Sequence, residues 1–418
     1  MNNCKKIKKM VKQACNNWLP YIVCALVLFF VASCSKYKYE KVEGDPLNTR
    51  IYTLDNGLKI YLSVNKDQPR IWASIVVHTG SRNDPAETTG LAHYLEHLMF
   101  KGTSKIGVTD AEAEAPLLAD IEQRYEKYRK MTDPEERTQA YRGIDSVSQL
   151  AARYLIPNEY TNTMAALGAE NVNAGTTYDY TSYDAEIHSN QVENWAKIES
   201  ERMKGLVVRG FHTELETVYE EYNMLMSQDN MKLLNGMMAK LFPSHPYSRS
   251  IGGTQEHLKN PSITNIMTYY KKWYVPDNTA ICISGDLDPD EMIATIDKYF
   301  GSWQPSGDVE QPSFPKQPEL TQPTDTTVFG NEAEMLWLGL RFDKGASLND
   351  TLCVIRKMLN NNTAGLIDLD LIQQGLLTEG GVYEWMQQLT DYSTLILTAT
   401  PVEGQTLDDA RSLLPSGL

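Results

Sequence analysis

Two histidines and a glutamate stand within five residues of one another, in His93-Tyr94-Leu95-Glu96-His97. On a helix, positions three and four apart share a face, so all three side chains project from one side over a single turn. Imidazoles spaced i, i+4 can both reach one zinc ion at about 2.0–2.1 Å. A carboxylate on the same face can act as a proton acceptor for a water. The chemistry this spacing suggests is metal-assisted hydrolysis. Amphipathic helices also generate five-residue patterns by chance, so the surrounding elements have to decide.

The chain has 418 residues, more than one ordinary core accommodates, and two or more domains are expected. Its hydrophobic content of 42% is that of a folded globular protein. A net charge of −15 argues against nucleic acid as a partner. Lys5, Lys6, Lys8, Lys9 and Lys12 form a basic start, Leu19 to Val31 is mostly apolar, and Val31-Ala32-Ser33-Cys34 follows. The apolar run is short for a membrane span and reads as an export signal. Small residues before a cysteine resemble a bacterial lipobox, with Cys34 as the lipidated first residue. The expected location is a cell-envelope membrane, with the lipid-anchored protein facing the periplasm; an uncleaved anchor or an ordinary signal peptide is the alternative. Cys4, Cys15 and Cys24 fall in the signal. Cys282 and Cys353 remain, isolated in apolar surroundings without metal-ligand spacing, and are expected to be buried small hydrophobes.

Ahead of the motif, Ile51 to Leu54 and Leu58 to Leu62 flank Asp55-Asn56-Gly57, a hairpin signal. Ile71 to His78 reads as a strand ending at Gly80-Ser81, with His78 structural. Asp84-Pro85 and Thr88-Thr89-Gly90 then lead into the motif helix. Gly80-Ser81-Arg82, Gly90-Leu91-Ala92-His93 and Glu96-His97-Leu98-Met99-Phe100-Lys101-Gly102-Thr103 together resemble the opening of the M16 zinc peptidases, the pitrilysin, insulinase and mitochondrial-processing-peptidase type. His-x-x-Glu-His is the inverted zinc-protease signature. The resemblance implies an α+β fold, in which a mixed, largely antiparallel sheet packs with helices, followed by the start of a second homologous domain. It implies Zn2+ as cofactor, with His93 and His97 as metal ligands and Glu96 as the general base of a metalloendopeptidase acting on peptides or unfolded segments.

Residues 109–158 are charged and helix-prone. Asp133-Pro134-Glu135-Glu136 reads as a helix start, with Asp as N-cap and Pro in the first position. The stretch is expected to be an inserted helical hairpin; a solvated arm without a role is the plainer reading. Asn173 to Tyr183 is rich in Thr and Tyr and reads as a strand. It resembles the family's edge strand, which implies Asn173 and Ala174 as substrate-binding positions through β-augmentation. Further on, Glu214, Val218, Glu221 and Leu225 share one helical face. A solvated acidic helix is the ordinary reading, but two carboxylates interrupt what should be a buried stripe. From the Val-x-x-Glu pattern the resemblance implies Glu221 as third metal ligand, with Glu220 competing one position away. It implies Glu214 as a catalytic-site acid that orients a ligand from behind. Glu221 lies further from His97 than is usual for the family; the 109–158 insertion accounts for the excess, since long insertions are cheap in loop entropy.

His245, between prolines, is read as structural. Asp286, Asp288 and Asp290 fit helix capping better than calcium binding. Residues 1–33 are thus expected to be a signal peptide and 34–49 a linker. Residues 50–304 form the N-terminal catalytic domain, 305–325 a Pro-rich linker, and 326–418 part of a second M16-like domain. The rival reading is a catalytically silent M16-like subunit or fragment that needs a homologous partner half to close a substrate chamber.

Overall fold

The computed structural model describes residues 36–307, 309–343, 346–383 and 389–414. The expected export segment and Cys34 lie outside the described residues. Among the described residues no helix is long and apolar enough to cross a membrane.

Strands β1 (Tyr39–Glu40), β2 (Arg50–Thr53), β3 (Lys59–Val64), β4 (Arg70–Val77), β5 (Glu170–Thr176), β6 (Thr181–His188) and β7 (Thr279–Gly285) form one sheet, in the order β1-β2-β3-β7-β4-β6-β5. Only the β3–β7 pair is parallel. Burial alternates along the central strands. Ile71, Ala73, Ile75 and Val77 of β4 are buried, as are Ile281 and Ile283 of β7, whereas Trp72 is exposed. Strict alternation means that one face is packed and the other is not. The packed face carries helices Leu91–Leu98, Val192–Lys204, Ile263–Trp273 and Pro289–Phe300, whose apolar residues join the same core. Cys282 projects to the open face and is half-buried rather than buried; Cys353 is also half-buried, and both thiols are free.

Local signals shaped this sheet. The Asp55-Asn56-Gly57 turn joins β2 to β3 antiparallel, with Gly57 at φ 87°, where a residue without Cβ is needed. The expected single strand from Asn173 to Tyr183 is instead a hairpin. The Thr177 hydroxyl accepts from the backbone N–H groups of Asp179 and Tyr180, folding the chain between β5 and β6. Propensity alone saw β-formers on both sides and missed the turn between them.

Residues 109–158 form two antiparallel helices, Ala111–Tyr128 and Pro134–Ala151. Asp133 caps the second, accepting from Glu135 N and Glu136 N at 2.9 Å each, with Pro134 in the first turn. The pair is no free arm: Ile121, Tyr125, Ile144 and Ala151 are buried in the main core. Glu114 and Arg209 form a bidentate ion pair, both nearly inaccessible, at 2.8 Å from Arg209 Nε to Oε1 and from Nη2 to Oε2. Arg209 Nη1 also donates to the carbonyls of Thr103 and Ile106 at 3.2 Å. One guanidinium thus ties the exit of the motif helix to the hairpin and to the segment that opens the next long helix. Removing one member leaves a buried charge alone, so Glu114→Ala is expected to destabilise the fold by about 3–5 kcal/mol in denaturant unfolding. A shift in the unfolding midpoint equivalent to less than about 1 kcal/mol would show that water reaches Arg209.

Beyond Phe300 the chain crosses to a smaller sheet: β8 (Leu336–Asp343), β9 (Glu379–Tyr383) and β10 (Tyr392–Thr400), ordered β8-β10-β9 and antiparallel. It has its own core around Leu395 and Leu397, with helix Ala346–Leu359 against it. A second apolar cluster, including Met238, Phe242, Tyr247, Tyr392 and Ile396, joins the two units. Asp288 caps helix Pro289–Phe300 by accepting from Asp290 N and Glu291 N, the capping role expected of that acidic run.

Candidate metal centre

The motif helix Leu91–Leu98 is short and needs support at its start. Asp84 supplies it, its carboxylate accepting from the N–H groups of Gly90, Leu91 and Ala92 at 2.7, 3.2 and 2.9 Å. Gly90 adopts φ 83°, and a Cβ there would meet the Gly252 carbonyl at 2.5 Å. Leu91, Ala92, Leu95 and Leu98 bury the opposite face of the helix. Tyr94 donates to the Phe211 carbonyl at 2.5 Å, joining the motif helix to the start of helix Phe211–Ser227.

That second helix presents Glu214 and Glu221 to the motif. His97 Nε2 lies 3.2 Å from Glu221 Oε2, and His93 Nε2 lies 3.8 Å from the same oxygen. The two imidazoles stand edge to face, 4.8 Å between centroids. Among the described residues, His93, His97 and Glu221 are the one group of three whose ligand atoms all fall within 4.8 Å of one another. Glu220, one position away, points to solvent. His78 is exposed at the end of β4, and His245 is buried near Asp391; neither belongs to this group.

The donor chemistry fits a cation. Glu214 Oε1 is 2.9 Å from His97 Nδ1, so that nitrogen carries the proton and donates. His97 Nε2 is then a lone pair facing the Glu221 carboxylate, two acceptors opposed at 3.2 Å. A metal ion, or failing that a proton, resolves the opposition. Burial works against a charged His97, but the hydrogen bond to Glu214 and the charges of Glu96, Glu214 and Glu221 together raise its pKa. Burial, with His97 beside it, pulls His93 down to about 4, so its ring is neutral, the form a ligand requires. The buried Nδ1 of His93 has no hydrogen-bond partner among the described residues.

Glu96 points to the same space and is largely buried. Its Oε2 accepts from Thr176 Oγ1 at 2.7 Å. Burial pushes its carboxyl up, the Thr176 bond only partly opposing this. Glu214 is held from its other side by the Lys101 ammonium; burial raises its pKa, but the bonds to His97 and Lys101 outweigh that and keep it low. Asn173 and Ala174 lie on β5, the edge strand that also carries Thr176. Asn173 is exposed, and Ala174 packs partly on the core.

Sequence reasoning assigned no role to Thr176 or Lys101. Lys101 had a signal, standing four residues after His97. Thr176 had only its place in Asn173-Ala174-Gly175-Thr176, and its partner is 80 residues away.

Comparison with known proteins follows the same lines. The family model described as "Insulinase (Peptidase family M16)" matches residues 59–115, and that described as "Peptidase M16 inactive domain" matches residues 262–387. The uncharacterised zinc protease YmxG of Bacillus subtilis is 25% identical over 345 residues, covering 79% of this chain and 68% of YmxG. Against other curated relatives the chain spans about half of their length, 45% and 55% in two cases. A protease from Helicobacter pylori has the same fold, with a TM-score of 0.64 at 19% identity, covering 90% of this chain and 78% of that one. So does the first half of the periplasmic protease PqqL from Escherichia coli, with a TM-score of 0.62 at 16% identity, covering 89% and 71%. Two M16 family models on separate stretches, the relatives and the shared fold agree: the chain is similar to the M16 peptidases along most of its length.

Proposed function

We propose that this chain is the zinc-bearing half of an exported endopeptidase that hydrolyses peptides or unfolded polypeptide segments. The observation that carries the reading is the convergence of His93, His97 and Glu221 on one point, with Glu96 beside it. His93, His97 and Glu221 hold the ion, a three-ligand set that leaves a position open for chemistry. Zinc, when bound, supplies a Lewis acid that polarises a carbonyl and makes a water acidic at neutral pH. Glu96 accepts the proton of the attacking water and returns it to the leaving amine; burial gives it a basicity nearer to neutral than that of a free glutamate. Thr176 fixes the direction of that carboxylate. Glu214 is a positioning residue, holding His97 by Nδ1 so that Nε2 faces the metal. Asn173 and Ala174 offer the free edge of β5 to the substrate backbone, adding it as a further strand.

Relatives named zinc proteases support the metal, and the periplasmic PqqL half supports both export and a homologous second half that completes the chamber. A silent subunit would have no need of an intact base and ligand set. Purified protein is expected to contain one zinc per chain and to cleave a quenched oligopeptide, with cleavage lost to chelator and restored by zinc. Stoichiometric zinc without turnover, in the presence of the natural continuation or partner half, would favour the silent subunit instead.

A further inference from the structure

We propose that Arg82 and Asp391 form a latch through which the second unit positions the catalytic base; this rests on the reading of Glu96 as that base. Arg82 is buried, 3% exposed, and its Nη1 reaches three groups from different parts of the chain. It lies 2.8 Å from Asp391 Oδ2, 3.3 Å from Asp179 Oδ1, and 3.3 Å from the Tyr247 hydroxyl, to which it donates. Tyr247 in turn donates to Asp179 Oδ1 at 2.7 Å. From the second unit, the N–H of Thr390 donates to Asp179 Oδ2 at 2.9 Å. His245 Nε2 meets Asp391 Oδ2 at 3.2 Å.

Asp179 sits in the β5–β6 turn, three residues after Thr176. The backbone of Ser81 and Arg82 reads that turn directly: their N–H groups donate to the carbonyls of Thr177 and Tyr178 at 3.0 Å. Gly80 allows the approach, since a Cβ there would stand 2.3 Å from the Thr177 oxygen. Thr176, next in line, holds Glu96. A continuous path therefore runs from the loop Leu389–Asp391 of the second unit, through Asp179 and Arg82, to the turn, to Thr176 and to the base. Arg82 and Asp391 touch no reacting group. Their role is to fix where Thr176 stands, and a displaced Thr176 misdirects the carboxylate it holds. Arg82 and Asp179 are nearly inaccessible while Asp391 is 35% exposed, so Arg82 is the member for which losing Asp391 costs most, a buried charge deprived of a partner.

The test uses the full chain with its natural continuation or partner half, and compares Asp391→Ala, Thr176→Val and the double variant on a quenched peptide. Each single change is expected to lower kcat by about tenfold, with KM within about twofold of wild type and zinc content unchanged. The double variant is expected to lose no more than either single, because both act on the same contact. Asp391→Glu is expected to restore part of the rate. Losses that multiply in the double variant, a change confined to KM, or a wild-type kcat in Asp391→Ala would overturn the latch. Amide hydrogen exchange supplies a readout independent of turnover. In Asp391→Ala, the amides of 177–181 should exchange faster while those of Ile281 and Ile283 in β7 do not change. Unchanged exchange at the turn overturns the latch even if the chain shows no peptidase activity; an inactive wild type with a loosened turn in Asp391→Ala overturns the functional reading alone.

Discussion

Glu96→Gln is expected to abolish peptide cleavage while leaving zinc in place. The substitution keeps the shape of the side chain, and the carboxamide oxygen can still accept from Thr176. The three proposed ligands, His93, His97 and Glu221, are untouched. What disappears is the carboxylate that stands beside the candidate ligands and is not itself tied to one of them, Glu214 being held by His97 and Lys101. A positioned acid–base group contributes about 10²–10⁴-fold, and here one residue serves both the attack and the departure, so a loss at the upper end is expected. The measurement is kcat on a quenched peptide with metal analysis of the same preparation. Activity within about tenfold of wild type, at full zinc occupancy, would remove Glu96 from the mechanism.

Loss of the metal itself is the second large effect. Glu221→Gln replaces an anionic ligand by a neutral one opposite His97 Nε2, and His97→Ala removes the nitrogen that Glu214 orients. Both variants are expected to purify without stoichiometric zinc and to lack activity. Glu214→Gln should fall between, with zinc affinity about 10–100-fold weaker, because it disturbs the direction of His97 and not the ligand count. Thermal unfolding gives a check that needs no substrate. Zinc at about 100 times its dissociation constant should stabilise the wild type by about 2.7 kcal/mol, and Glu221→Gln should lose that gain. If Glu221→Gln keeps full zinc and the full thermal gain, the third ligand is some other group.

What the residues reveal before any coordinates are known depends on distance along the chain. His93, Glu96 and His97 were legible because one helical turn fixes their relation, and Asp133-Pro134 because a cap and its helix are neighbours. The choice between Glu221 and Glu220 needed the helix phase. Adjacent positions differ by about 100° on a helix, and Glu220 faces solvent. The contacts to Glu96 and Glu214 were harder to see. Thr176 reaches Glu96 across 80 positions, and nothing local marks either as the other's partner. The turn at 177–180 was hidden among β-forming residues. The half-buried state of Cys282 depends on which face of the sheet is covered, a tertiary fact with no local signal.

The candidate ligands His93, His97 and Glu221 come from two helices with the helix pair Ala111–Tyr128 and Pro134–Ala151 between them in sequence, and Arg209 ties that pair back through Glu114. Contacts of such long sequence separation carry a loop-closure entropy cost before they contribute stability. Until helices Leu91–Leu98 and Phe211–Ser227 pack, both histidines stand on a short isolated helix with no carboxylate beside Nε2 to complete the set. Two imidazoles alone retain zinc poorly, so cutting power would arrive only with the finished tertiary structure.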